Sequence, residues 1–136
     1  MLAEFSDKVR LVYKDFPLAF HEGALPAAEA ARCAGEQGRF WEYHDLLFVA
    51  QPAFSTADLV GYAARLGLPA EPFTACLESN RHRDAVRADM AEARAAGVRG
   101  TPTFFVNGRR LVGAQPLQAF QTAVRNALAE NSGKRP

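Results

Sequence analysis

Residues 97–113, GVRGTPTFFVNGRRLVG, constrain the fold more than any other stretch of the chain. Asn107-Gly108 separates two short apolar runs, and Asn-Gly favours the type I′ turn, whose positive φ angles suit a tight hairpin. The pattern predicts two strands, Thr103 to Val106 and Arg110 to Val112, with Thr101-Pro102 at the mouth of the first. Only about 5–6% of X-Pro bonds in folded proteins are cis, so residue statistics alone make Pro102 a trans proline opening an edge strand.

The rest of the chain reads as mostly helical. KVRLVYKDF, Lys8 to Phe16, is the exception: it is rich in Val, Leu and Tyr, stops at Pro17 and predicts a further strand. A loop punctuated by Pro17, Gly23 and Pro26 follows. The alanine-rich run Ala27–Glu36 has strong helix propensity, Pro26 suits its first turn and Gly38 breaks it. RFWEYHDLLFVAQ then places Phe40, Trp41, His44, Leu47 and Phe48 at helical spacing. Ser55-Thr56-Ala57-Asp58 is a capping-box pattern that opens a helix through Leu59, Tyr62, Ala63 and Leu66 to Gly67. Pro69 and Pro72 bracket a turn before a short helix with Phe73, Cys76 and Leu77 on one face. Asn80 is placed to cap a longer helix with a stripe of Val86, Met90 and Ala93, closed by Gly97. A last helix runs from Pro116 to about Ala129, presenting Leu117, Phe120, Val124 and Leu128. Strands at both ends of a helical block predict a small mixed sheet with helices packed on it. The aromatic set Phe16, Phe20, Phe40, Trp41, Phe48, Phe54 and Phe73 reads as mostly core.

Bulk properties narrow the function classes. A chain of 136 residues fits one compact domain with a core of its own. A net charge of +1 with scattered arginines lacks the basic footprint of a nucleic-acid binder. The short cluster Arg81-His82-Arg83, balanced by Asp84 and Asp89, reads as a solvated helix start. No apolar run approaches the roughly 18 residues that span a bilayer. MLAEFSDKVR shows no basic-then-apolar leader pattern. Neither nucleic acid nor a membrane is expected as a partner.

Residues that carry chemistry are few. Cys33 and Cys76 both fall on apolar helical faces and read first as two buried thiols, with one disulfide as the alternative. Their local sequence supplies neither a nearby cation nor a helix start to activate a sulfur. His21, His44 and His82 have no metal-ligand spacing, and Cys33 with His44 lacks further ligands, so no metal is assigned. His44 reads as a core-edge histidine. Asp15 and Glu29 read as ordinary solvated carboxylates rather than an acid pair. No Gly-rich phosphate loop or Ser/His/Asp constellation is visible, and no cofactor is indicated.

Gly100-Thr101-Pro102-Thr103-Phe104-Phe105-Val106-Asn107-Gly108 resembles the cis-proline segment of thioredoxin-fold proteins, in particular the DsbA-like family. The resemblance extends through VRLVYKDFPL, AAEAARCAGEQGRFWEYHDLLF, FTACLES and GAQPLQAFQTAV, and so covers Lys8 to Leu128. It implies an α/β, thioredoxin-like fold: a small mixed sheet carrying a helical insertion at residues 27–96. It also implies a cis bond before Pro102 and a Thr101 backbone offered to a bound peptide or a partner cysteine. Relatives of this kind can carry a structural disulfide in the helical block, which here would be Cys33–Cys76. Closing that loop would stabilise the fold by roughly 4 kcal/mol on the chain-entropy view.

The family's chemistry resides in Cys-x-x-Cys at the start of a helix, where the helix end and the paired thiol favour the attacking thiolate. This chain contains no Cys-x-x-Cys. MLAEFSD resembles the end of the family's first helix, so the expected fold is N-terminally truncated, lacking the first strand and most of that helix. The chain is therefore expected to be redox-inactive although its family is that of protein disulfide oxidoreductases. Open strand edges predict a homodimer. The alternative function is a non-catalytic module that holds unfolded or extended protein, or associates with itself. The family resemblance points to the periplasm or the cell exterior.

Overall fold

The computed structural model describes residues 3–19 and 21–133, and two compact units emerge from it. One is formed within Lys14–Ala96, the other within Met1–Tyr13 and Gly97–Pro136.

The helical unit contains α1 (Ala24–Gly35), α2 (Phe40–Ala50), α3 (Thr56–Arg65), α4 (Ala70–Ser79) and α5 (Arg83–Ala95). α1 is central and packs on the other four. Its buried face is Ala27, Ala30, Ala31, Cys33 and Ala34, small side chains that let neighbouring helices approach closely. Against it lie Tyr43, Leu59, Tyr62, Phe73 and Leu77. Tyr43 and Phe73 meet with ring centroids 5.6 Å apart. The buried Tyr43 hydroxyl donates to the Leu59 carbonyl at 2.7 Å, which satisfies its one polar atom in the core.

Helix ends follow local chemistry in part. Ser55 and Asp58 form the predicted capping box of α3, the Asp58 N–H donating to Ser55 Oγ at 3.1 Å and the Ser55 N–H to Asp58 Oδ2 at 3.2 Å. Asn80, expected to start α5, instead ends α4 in the left-handed conformation with φ 53°, and His82 precedes α5. Asparagine suits both sites, because its short side chain tolerates left-handed backbone as well as capping a helix start. α1 begins earlier than predicted, after Gly23 with φ 79°.

The aromatic core is narrower than expected. On α2 the buried residue is Tyr43, while Trp41, Phe48 and Val49 are exposed. Phe73 is fully buried and Phe40 and Phe54 are partly so. Phe20 lies outside the described residues.

In the other unit, β1 (Thr103–Val106) and β2 (Arg109–Val112) pair antiparallel, with Phe104 opposite Leu111 and Phe105 opposite Arg110. Asn107 and Gly108 turn the chain with φ 50° and 86°, the positive pair that an Asn-Gly hairpin requires. Gly97 is favoured for the same conformational reason: its φ is 85°, a left-handed value that other residues rarely adopt. α6 (Leu117–Gly133) covers the hairpin through an edge-to-face contact of Phe120 with Phe104, centroids 4.7 Å apart. Val124, Ala127, Val98 and Phe5 complete this smaller core.

The α/β, thioredoxin-like class holds, but the sheet of the described residues is β1 and β2 alone. The segment Lys8–Phe16, predicted as a strand, is not part of it. β-forming residues supply only a propensity, and a strand exists when a neighbour completes its ladder. At the end of this segment a side chain takes that role: the Asp15 N–H donates to Asp89 Oδ2 at 2.9 Å.

Candidate functional site

The Thr101–Pro102 peptide bond is cis, as is Gln51–Pro52, which the sequence did not single out. Both Thr101 and Pro102 are exposed. The Pro102 carbonyl accepts from the Gly113 N–H at 2.8 Å, and Thr103 Oγ1 donates to the Gly100 carbonyl at 2.8 Å. These bonds anchor the proline segment from the residue that follows β2 and from the preceding loop. The Thr101 backbone stands beside them on the surface. Its sequence neighbours, Gly100 and Pro102, carry no titratable side chain.

Cys33 of α1 and Cys76 of α4 are joined as a disulfide, with Cα atoms 5.8 Å apart. Both are buried. The chain has two cysteines, and neither is a free thiol. The bridge has charged groups beside it that the local sequence does not announce. Glu36, at the end of α1, places Oε2 3.2 Å from Cys76 Sγ. Arg81 grips the same carboxylate, Nε donating to Oε2 at 2.9 Å and Nη2 to Oε1, and a His82 ring nitrogen contacts Oε2. Hydrogen bonding by Arg81, then by His82, lowers the Glu36 carboxyl to about 2. The Arg81–His82–Arg83 cluster does stand at the start of α5, with Arg81 exposed, but it also supplies partners to the carboxylates of α1 and its cap.

Arg83 reaches a second carboxylate. Its Nη2 lies 3.1 Å from Oε2 of Glu29, which is almost wholly buried. Asp15 is buried too, and Arg32 Nε donates to its Oδ2 at 2.7 Å while Arg32 Nη2 donates to Asp89 Oδ2 at 2.8 Å. Burial raises the Asp15 carboxyl above its ordinary range despite the opposing effect of Arg32. The expectation of solvated carboxylates is overturned at both positions: each is sequestered with its own arginine. No local signal marks this, since the partners lie 17 and 54 residues away. His44 contacts Asp45 and packs against the Trp41 and Phe48 rings. An open groove of about 610 Å³ in the helical unit, lined among others by Leu18, Leu25, Arg87, Met90 and Arg94, contains no thiol.

The arrangement offers an exposed backbone edge at a cis proline but no thiol to attack a disulfide. Among the described residues no helix is long and apolar enough to cross a membrane.

Comparison with known proteins places these features. The family model described as Thioredoxin matches residues 1–126. A solved thioredoxin-like oxidoreductase from Silicibacter pomeroyi DSS-3 is similar over 94% of this chain and 73% of its own, with a TM-score of 0.83 and 28% identity. Among curated proteins, the Na(+)/H(+) antiporter NhaA 1 of Salinispora arenicola is 44% identical over 130 residues, 95% of this chain and 20% of that protein. The Na(+)/H(+) antiporter NhaA 3 of Salinispora tropica is 45% identical over 122 residues, 89% of this chain and 19% of that protein. The chain spans about a fifth of the length of these curated relatives. By the family match across most of its length and the likeness to a solved oxidoreductase, the chain belongs to the thioredoxin family, in its DsbA-like branch.

Proposed function

We propose that this chain is a redox-inactive DsbA-like module that holds extended polypeptide at the Thr101–Pro102 edge. The observation that carries the reading is the state of its sulfur: both cysteines are consumed in one buried bridge and no Cys-x-x-Cys is present, so the oxidised chain has no thiolate to open a substrate disulfide. What remains is recognition. An exposed backbone beside an anchored proline suits pairing with an extended chain, in which main-chain hydrogen bonds supply affinity.

The test has two arms. In dithiothreitol-driven reduction of insulin the chain is expected to add nothing to the uncatalysed rate. A labelled unfolded peptide is expected to bind by fluorescence anisotropy and to lose binding on Pro102→Ala. Cysteine-dependent turnover would overturn the redox assignment, and binding unaffected by Pro102→Ala would overturn the site.

Self-association is part of the same proposal. The outer edges of β1 and β2 carry no strand partner among the described residues, and Phe105 and Val112 are exposed there. Two copies pairing by these edges would form a homodimer. A monomer at all concentrations in sedimentation equilibrium would eliminate it. A buried disulfide suits an oxidising compartment, so the proposed location is the periplasm or cell exterior. Thiol trapping of the protein in its native cells should find the pair oxidised.

A second reading concerns context. The match to one fifth of proteins named as antiporters favours a thioredoxin-like part of a longer, transporter-linked polypeptide. Reading the DNA upstream of the Met1 codon in frame decides it: an open frame extending into a transport domain is expected, and a nearby stop codon removes the reading.

A further inference from the structure

The disulfide has neighbours that a purely structural bridge does not require. One ligand atom each from Cys33, Cys76 and His82 lies within 4.8 Å of the other two. Glu36 Oε2 is a fourth donor, 3.2 Å from Cys76 Sγ and in contact with His82. Cys33 and Glu36 are three residues apart at the end of α1 and so project from one side of it. Cys76 comes from α4, and His82 immediately precedes α5. α1 with its cap, α4 and the residue before α5 thus bring two sulfurs, an imidazole nitrogen and a carboxylate oxygen to one place.

From this convergence we propose that, once its disulfide is reduced, the chain binds one zinc-class divalent cation through Cys33, Cys76, His82 and Glu36. The reductant is an external dithiol. Its two sulfurs join to each other, two electrons pass to the cystine, the Cys33–Cys76 S–S bond breaks, and each cysteine gains a proton. Cation binding then releases both thiol protons to solvent, because the thiolate is the ligand. Freed from each other, the two Sγ atoms separate by rotation of their side chains.

The donor set is chemically specific. Thiolate with imidazole selects zinc over calcium or magnesium, and four donors from four side chains complete a tetrahedral site. The charges balance: two thiolates and the carboxylate carry three negative charges, the cation two positive and Arg81 one. Arg81 holds Glu36 by both oxygens, Nη2 on Oε1 and Nε on Oε2, and so fixes the carboxylate with Oε2 beside the sulfur, the role an outer partner plays around a metal ligand. The sulfurs are buried, whereas the His82 and Glu36 side chains are 23% and 35% exposed, so the site is open on its nitrogen and oxygen side. In the oxidised chain the same sulfurs are bonded to each other and cannot ligate. The bridge and the cation are therefore alternative staples for one junction of α1, α4 and the start of α5. This proposal does not depend on peptide binding at Pro102.

Cobalt(II) is the probe, because a tetrahedral thiolate site announces itself by intense visible bands and a sulfur-to-metal charge-transfer absorption. The full chain is reduced with dithiothreitol and freed of it anaerobically before titration. One cobalt per reduced chain is expected, displaced by zinc, with none bound by the oxidised chain. His82→Ala and Glu36→Gln, whose folding is checked in the oxidised form by circular dichroism, should each weaken binding at least tenfold after reduction. A Cys33→Ser/Cys76→Ser chain should show no charge-transfer band. Equal cobalt binding by oxidised and reduced wild type would overturn the proposal. So would unchanged affinity in either single variant, or loss of helical signal in the reduced chain that cobalt does not prevent.

Discussion

The two units of the molecule solve the same problem with different means. In Lys14–Ala96 every secondary element is a helix, so most backbone polar groups are satisfied within each element, with the helix ends left to caps such as Ser55 and Asp58. That unit holds the continuous core around α1, Tyr43 and Phe73, a disulfide, and arginines set against Asp15, Glu29 and Glu36. The hairpin unit has two strands, one covering helix and a core of a few residues. Its outer strand edges carry no strand partner among the described residues. A set of helices closes on itself, whereas a small sheet remains an invitation to bind, and this difference is why the proposed recognition edge lies in the hairpin unit.

Breaking the helical unit should have the largest effect. Phe73→Ala removes a fully buried ring from against Tyr43, and a loss of about 3–5 kcal/mol is expected by urea denaturation followed at helical wavelengths. Helical exchange protection should collapse with it. Replacing Cys33 and Cys76 together by alanine releases a loop constrained across 43 residues and should lose up to roughly 4 kcal/mol in the same assay. Tyr43→Phe deletes a buried hydrogen bond, the hydroxyl donated to the Leu59 carbonyl, for an expected loss of about 1 kcal/mol. All three leave the hairpin turn untouched in sequence.

Gly108→Ala addresses the other unit. An alanine at φ 86° is strained by about 1–2 kcal/mol, and the effect should appear as lost amide protection in β1 and β2 rather than in α1–α4. Equal loss in both units would show that they unfold as one and would dissolve the comparison.

The smallest effect sharpens the electrostatic side. Glu36 is held in the folded state at about 2, below its ordinary 4.5, so its stabilising contribution is complete above 4.5 and is lost as pH falls toward 2. Solvent reaches this carboxylate, which keeps the contribution modest. Glu36→Gln should therefore be less stable than wild type near neutral pH, with the two converging in acid; a difference that persists at pH 2 would assign the effect to packing instead.

Short-range features were legible in the residues. The Ser55–Asp58 box, the Asn107-Gly108 turn and the Phe73-Cys76-Leu77 face each depend on residues within a few positions, and each stands in the structure. The thioredoxin-like class was legible from blocks of resemblance in order along the chain. The candidate site was legible only in outline. Thr101-Pro102 could be singled out, but nothing near Glu36 in sequence announces Arg81 and His82, which lie 45 and 46 residues away. On α2, helical spacing identified a face too broad, because periodicity gives the angle around a helix but not how much of it a neighbour covers.

Sequence alone determined where helices and the tight turn form, since propensity, caps and turn chemistry act over a few residues. It also determined that this chain contains no Cys-x-x-Cys. Tertiary structure decided the rest: that Lys8–Phe16 joins no sheet, that Tyr43 rather than Trp41 is buried, and that Asp15 and Glu29 are sequestered with arginines. It also set a carboxylate and an imidazole against the Cys33–Cys76 bridge. Those outcomes depend on which distant groups meet, and burial, ladder pairing and ion pairing acquire their energies only when they do.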